Sequence, residues 1–246
     1  MTAPVFVVEH FDADRGGRYV LDGPEGRHAV SVKRLHAGED VVLTDGAGRW
    51  AHCVVLDTEG KDRLVVRMDP VTEEPEASPR VTVVQALPKG DRGELAVETM
   101  TETGVDAVVP WAASRCITQW KGERGLKALA KWRATAREAG KQSRRVRFPE
   151  VADAASTKQV AALLADADFA AVLHEEGSEP LATAGLPASG RIVLVVGPEG
   201  GVSPDELAAF AAAGAKPYRL GRSVLRTSTA GTAATALLLG RTGRWS

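Results

Sequence analysis

Cysteine is nearly absent: Cys53 and Cys116 are the 2 cysteines in 246 residues, and they form neither a CxxC pair nor a disulfide framework. That points to a reducing compartment, and a cytoplasmic protein is expected. Long apolar runs are missing too. The longest candidate, 233–239, falls well short of the roughly 18 residues that cross a bilayer. The opening MTAPVFVVEH lacks a basic lead and an uninterrupted apolar core, so no signal peptide is expected. The histidines, His10, His28, His36, His52 and His174, show no metal-ligand spacing, and no metal is expected. Neither a dinucleotide GxGxxG nor a phosphate-loop GxxxxGK[ST] occurs, and there is no internal repeat or low-complexity tract.

Net charge is also small, at -1, but it hides a segregation. Residues 115–147 carry eleven Lys/Arg against two acids, Glu123 and Glu138, and residues 216–244 carry six Lys/Arg and no acid. Concentrated positive charge in a balanced chain suggests a polyanion partner, although charge runs are also common on solvated helix faces.

Apolar residues at 44 % and charged residues at 26 % are ordinary for a globular chain, and the length suits one large domain or two smaller ones. Strands are predicted over 5–8, 18–21, 40–44, 50–56 and 63–68, with turns at 45–48 and 59–62 and a short helix between 26 and 35. Short strands at this spacing suggest a small barrel. His28, Lys33 and Arg34 are its candidate ligand-facing groups, although a lone histidine such as His28 is more often structural.

Residues 72–79 are polar and contain Pro75 and Pro79, and the pattern changes character after them, so the domains are drawn as 1–72 and 73–246. Strand and helix then alternate. The near-continuous apolar run 81–87 fits a parallel sheet covered on both faces. Helices are predicted over 94–103, 126–143, 157–164, 204–213 and 229–239, and strands over 105–110, 168–174, 191–196 and 217–220. In helix 126–143, Leu126, Leu129, Ala130, Ala136 and Ala139 mark the buried side, while Lys127, Lys131, Arg137 and Lys141 crowd the exposed one. Arg144 and Arg145 follow it, where guanidinium groups can fork onto phosphates. Ser203-Pro204-Asp205-Glu206 is a capping-box helix start.

Two loops carry the chemistry. The strand at 192–196 empties into Gly197-Pro198-Glu199-Gly200-Gly201, and a second loop reads Leu220-Gly221-Arg222-Ser223-Val224-Leu225-Arg226. Glycines let backbone groups approach a ligand, and a carboxylate such as Glu199 repels phosphate and suits a cationic ligand. Taken alone, GPEGG reads equally as a structural strand-to-helix turn. Arg115, just beyond the strand at 105–110, lies where open α/β sheets bind ligands.

GPEGG at 197–201, SPDEL at 203–207 and LGRSVLRTSTA at 220–230 follow QALPKGDRGELAVE at 85–98, TGVDAVVPW at 103–111, KWRATAREAGKQSRR at 131–145 and RHAVSVKRL at 27–35. In that order, over almost the whole chain, they resemble the 16S ribosomal RNA uracil-N3 methyltransferases of the SPOUT superfamily. The resemblance implies an N-terminal PUA-like or OB-like β-barrel that holds RNA and a C-terminal SPOUT α/β domain with a deep trefoil knot, in a homodimer acting on 16S RNA of the 30S subunit. It implies S-adenosylmethionine held by Leu173, His174, Glu175, Gly197, Pro198, Glu199, Gly200, Leu220, Gly221, Ser223, Leu225 and Arg226. Arg226 is then the first candidate for catalysis, with Arg115 second and Glu199 as an orienting group or proton acceptor. His28, Lys33, Arg34, Lys141, Arg144 and Arg145 are the candidate RNA contacts. Many family members carry an acid where this chain has Ser114 and Glu where it has Ser228, which leaves the general base unassigned and suggests that Ser228 caps a helix. Two other readings stay open: a SPOUT enzyme for another RNA position, and a non-catalytic RNA-binding assembly factor.

Overall fold

Alternating burial along residues 40–68 makes one face of a sheet. Val41, Leu43, Ala51, Cys53 and Val55 turn inward with Phe6, Leu64 and Val66, as the two-residue period of a strand requires. The computed structural model describes residues 3–13 and 17–245. The chain divides into two units, Met1–Glu76 with Gly140–Phe148, and Ala77–Ala139 with Pro149–Ser246.

The first unit contains β1 (Val5–Val7), β2 (Arg18–Leu21), β3 (Asp40–Thr44), β4 (Arg49–Glu59), β5 (Arg63–Met68) and β6 (Thr72–Glu73). Their sheet order is β1-β3-β4-β5-β2, with β6 on β4, and β1 and β3 run parallel while the other pairs are antiparallel. The β3–β4 turn is set by Asp45, whose Oδ1 accepts the N–H groups of Ala47 at 2.7 Å and Arg49 at 3.1 Å. The predicted single helix is α1 (Gly23–Arg27) running into a π-turn at His28–Val32. Residues 140–148 pack here because Thr44 Oγ1 donates to the Val146 carbonyl at 2.7 Å and Phe148 N–H donates to that of Gly46 at 2.8 Å.

The second unit follows the strand-helix alternation. Its elements are β7 (Arg80–Ala86), α2 (Arg92–Thr103), β8 (Ala107–Trp111), α3 (Gly122–Gln142), β9 (Glu150–Val151), α4 (Thr157–Ala165), β10 (Phe169–Leu173), β11 (Glu179–Pro180), β12 (Arg191–Val196), α5 (Pro204–Ala212), β13 (Lys216–Arg219) and α6 (Thr227–Arg241). The strands form one parallel sheet in the order β11-β13-β10-β12-β7-β8-β9. Helices bury its central strands on both sides, which is why Val81, Val83, Val84, Ile192, Leu194 and Val195 are all inaccessible. Asp106 closes one end by accepting Val81 N–H at 2.7 Å and pairing with the Arg244 guanidinium.

Helix α3 corrects the sequence reading. Leu126 is 67 % exposed and Ala130 is exposed, while the buried stripe is Leu129, Trp132, Ala136 and Ala139. The helix begins at Gly122, so the 3.6-residue period takes its phase from Trp132, whose ring meets Trp120 edge-on at 5.0 Å. Lys141, expected on the exposed face, is 7 % exposed, and its Nζ donates to Glu25 Oε1 at 2.8 Å.

Candidate active site

Parallel strands end on a common edge, and β7, β8, β10, β12 and β13 bring five loops to it. These loops line a cavity of about 510 Å³ and an adjoining cleft of about 120 Å³. Residues 173–175, 197–200 and 220–226, the three loops singled out in the sequence, all line one or the other, and Arg115 lines the larger.

The loop after β12 is shaped by close approach. A Cβ on Gly197 would lie 2.8 Å from Val202 Cγ2, and one on Gly200 would lie 3.2 Å from Arg115 Cβ. Arg115 Nη1 donates to the Gly200 carbonyl at 3.1 Å, joining the β8 loop to the β12 loop. Glu199 Oε1 accepts Lys89 N–H at 3.2 Å and lies 3.8 Å from Arg92 Nη1, which ties in the β7 loop. The cavity therefore carries Arg92, Arg115 and Arg226 against Glu175 and Glu199 on a backbone-rich wall.

Two buried polar clusters stand behind this wall. Gln85, inaccessible in β7, donates from Nε2 to Thr227 Oγ1 at 3.0 Å, and Thr227 Oγ1 donates to the Gly197 carbonyl at 2.8 Å. Glu206, 4 % exposed, accepts Ser114 N–H at 2.7 Å through Oε1, and Ser203 N–H at 3.0 Å and Ser203 Oγ–H at 2.9 Å through Oε2. Burial would raise its pKa, but the hydrogen bonds from Ser114 and Ser203 outweigh it and hold the carboxyl below its ordinary value. Cys116 shows the reverse: burial pushes its thiol up, leaving it a structural group rather than a nucleophile.

Ser228 does not cap α6. The N-cap is Arg226, which makes no side-chain cap hydrogen bond, and Ser228 lies inside the first turn at 4 % exposure. Sequence reading passed over Arg92, Thr227, Gln85 and Glu206. Gln85 left a signal, a polar residue within an otherwise apolar strand, whereas Glu206 was masked by its role in the capping box. Of the candidate RNA contacts, His28, Lys33, Lys141 and Arg144 line one cavity within the first unit, while Arg34 and Arg145 do not line it. Among the described residues no group of three or more His, Cys, Asp or Glu is arranged to hold a metal, and no helix is long and apolar enough to cross a membrane.

Residues 75–239 match the model of an RNA methyltransferase domain, and residues 21–69 match that of an RNA methyltransferase PUA domain. Ribosomal RNA small subunit methyltransferase E of Mycobacterium tuberculosis is 46 % identical over 100 % of this chain and 94 % of its own length. The Bacillus subtilis protein of the same name is 30 % identical, with 86 % of each chain covered. Among solved structures, a methyltransferase from Legionella pneumophila in complex with bound SAM superposes with a TM-score of 0.83 at 26 % identity, covering 98 % of each chain. The Neisseria gonorrhoeae ribosomal RNA small subunit methyltransferase E bound to S-adenosyl methionine gives 0.81 at 27 % identity, again over 98 % of each.

Proposed function

The chain belongs to the ribosomal RNA small subunit methyltransferase E family, and from that premise we propose that it uses S-adenosylmethionine to methylate N3 of one uridine in 16S RNA. The observation that carries this reading is the convergence of residues 173–175, 197–200 and 220–226 on one cavity at the carboxyl edge of a parallel sheet.

The cavity fits the cofactor. Its Gly-rich wall offers backbone groups at close range for a base, it contains no phosphate loop, and Glu175 and Glu199 suit a cationic ligand. Leu173, His174, Glu175, Gly197, Pro198, Gly200, Leu220, Gly221, Ser223 and Leu225 would hold it. When bound, S-adenosylmethionine supplies a methyl group on a positively charged sulfur.

The rest of the chemistry falls to the chain and the RNA. Uracil N3 carries a proton on the pairing edge, so the base must be unpaired and presented to the pocket. As that proton passes to solvent water, negative charge spreads toward O2 and O4, and Arg226, which lines the cavity, would stabilise it. Arg115 is committed to the Gly200 carbonyl and takes the supporting role. Because Lys89 N–H and Arg92 share one oxygen of Glu199, an orienting part suits that carboxylate better than accepting a proton.

We further propose residues 1–72 as the RNA-holding PUA-like barrel and 73–246 as the SPOUT domain. The insertion of β12 between β7 and β10, and of β13 outside β10, is compatible with a C-terminal trefoil knot. The active enzyme would be a cytoplasmic homodimer with His28, Lys33, Arg34, Lys141, Arg144 and Arg145 on the RNA. Mass mapping of small-subunit RNA from cells lacking the protein tests the assignment: loss of one N3-methyluridine supports it, and persistence of every methyluridine rejects it.

A further inference from the structure

Among the described residues, two non-glycine residues have positive φ, Arg34 at 56° and Arg144 at 60°. Each stands where a helical segment stops. Leu35 N–H reaches back to the Ala29 carbonyl at 3.1 Å, and Arg145 N–H reaches back to the Gly140 carbonyl at 2.9 Å, so each arginine occupies the left-handed position past a helix end that glycine normally fills. An L-residue is strained there, and such strain persists where the surroundings or a function hold it.

One of the two arginines lines a basic cavity and the other is next in sequence to a lining lysine. Arg144 lines a cavity of about 210 Å³, and Arg34 directly follows Lys33, which lines it as well. The cavity floor is apolar at Phe6, whose ring meets His28 edge-on at 5.7 Å. Lys141 is buried in its wall and fixed by Glu25, whereas Lys33 and Arg144 are exposed at the rim, and among the described residues no acid lines it. A buried ammonium, its charge offset by Glu25, behind two exposed rim cations over a small hollow suits one compact anion. The volume is below the roughly 300 Å³ where pockets for drug-sized ligands begin, and suits a phosphate group better than a fully enclosed nucleotide.

We propose that this cavity is a binding site for a single backbone phosphate of an RNA strand, with Arg144 and Lys33 as the closing cations and Lys141 as the fixed one. The proposal rests on the RNA-directed reading above and adds to it a defined subsite. It also accounts for the arginine at 144: glycine there would relieve the strain and remove a cation from the cavity.

The test uses the full-length protein and 16S RNA fragments, with binding measured across a salt series. Neutralising one phosphate contributes about 0.7 to 0.9 to the slope of log affinity against log salt. The Arg144→Gly variant should melt at the same temperature as the parent or higher, bind S-adenosylmethionine equally well, and bind RNA more weakly. The Lys33→Gln/Arg144→Gly double variant should lose slope by about 0.7 to 0.9, one phosphate's worth. An unchanged slope overturns the proposal, and so does a loss of about twice that value, which means two separate phosphates. Equal displacement of RNA by millimolar inorganic phosphate from parent and double variant also overturns it, because the site would then not be the phosphate-sensitive one. If the parent itself bound no RNA, the methyltransferase reading would fail first, and that outcome is distinct from failure of this subsite.

Discussion

Glu206 Oε1 accepts the backbone N–H of Ser114 at 2.7 Å, so a carboxylate in the first turn of α5 holds the loop that carries Arg115. The second oxygen closes the capping box with Ser203. Glu206→Gln keeps the shape but turns one acceptor into an NH2 donor facing another donor. A buried donor left unsatisfied costs about 1 to 3 kcal/mol, and thermal melting should show a loss of that size. Cofactor affinity should fall as well, because Arg115 reaches Gly200 from this loop. A variant with parental stability and affinity would remove Glu206 from the support of the site.

The same carboxylate gives a pH signature. Its pKa in the folded chain lies below the ordinary 4.5, so its stabilisation is fully present above the unfolded value and is lost as pH falls through the folded one. Melting temperature should therefore drop more steeply on acidification below about pH 4.5 in the parent than in Glu206→Gln. Parallel curves would contradict the assignment.

Much of this was legible in the sequence, and the exceptions have physical causes. Apolar runs and glycine stops placed the main strands and helices of the second unit, since period and punctuation are local properties. The two-residue strands β6, β9 and β11 were not visible, because two residues have no period. Lys141 misled because its burial depends on Glu25, 116 positions away. Arg226 as the cap of α6 could not be foreseen either, since its side chain makes no cap bond and left Ser228 as the better-looking candidate. The 197–201 and 220–226 loops were marked by their glycines and the 173–175 loop only by the family resemblance, whereas the buried groups behind them, Gln85 and Glu206, act through long-range contacts that linear order hides.

Thr227 offers a clean probe of that hidden layer. Its hydroxyl accepts from Gln85 and donates to the Gly197 carbonyl, and valine of similar shape would leave both partners short of a hydrogen bond inside the protein. Thr227→Val should lose about 1 to 3 kcal/mol of stability and weaken cofactor binding, whereas Thr227→Ser should behave like the parent. Calorimetry on the three proteins decides it, and a valine variant indistinguishable from serine would show that the relay does not shape the Gly197 loop.

Glycine substitutions separate packing from propensity. Alanine in a helix interior gains up to about 1 kcal/mol over glycine, and a fraction of that applies at Gly93 and Gly240, each one residue in from a helix end. At Gly93 that gain opposes a clash, because a Cβ would lie 2.5 Å from Trp132 Cζ2, on a ring already wedged against Trp120. Overpacking of this kind costs about 1 to 3 kcal/mol, so Gly93→Ala should be destabilising. Gly240 in α6 has nothing within 4 Å of its would-be Cβ, and Gly240→Ala should be stabilising. Chemical denaturation of both variants measures the two signs, and a stabilised Gly93→Ala would mean that Trp132 yields.

Arg226 is where structure and chemistry can be separated most sharply. Its backbone starts α6, with its carbonyl accepting Thr229 N–H at 2.9 Å and Ala230 N–H at 3.0 Å, and alanine preserves both bonds. Its side chain makes no capping contact, so Arg226→Ala should change stability by no more than about 0.5 kcal/mol. The guanidinium at the cavity wall is then the main thing removed. If it stabilises the charge that develops on uracil, its loss should lower the methylation rate by about 100-fold to 1000-fold, as removal of a preorganised donor does elsewhere. Cofactor affinity should change far less, because backbone groups of the 197–200 and 220–225 loops remain. Single-turnover methylation together with equilibrium binding of S-adenosylmethionine distinguishes the two effects. A proportional fall in both would make Arg226 a cofactor ligand, and a normal rate would exclude it from the reaction. Arg226→Lys should recover part of the rate, since a point charge replaces the fork but cannot reach two oxygens at once.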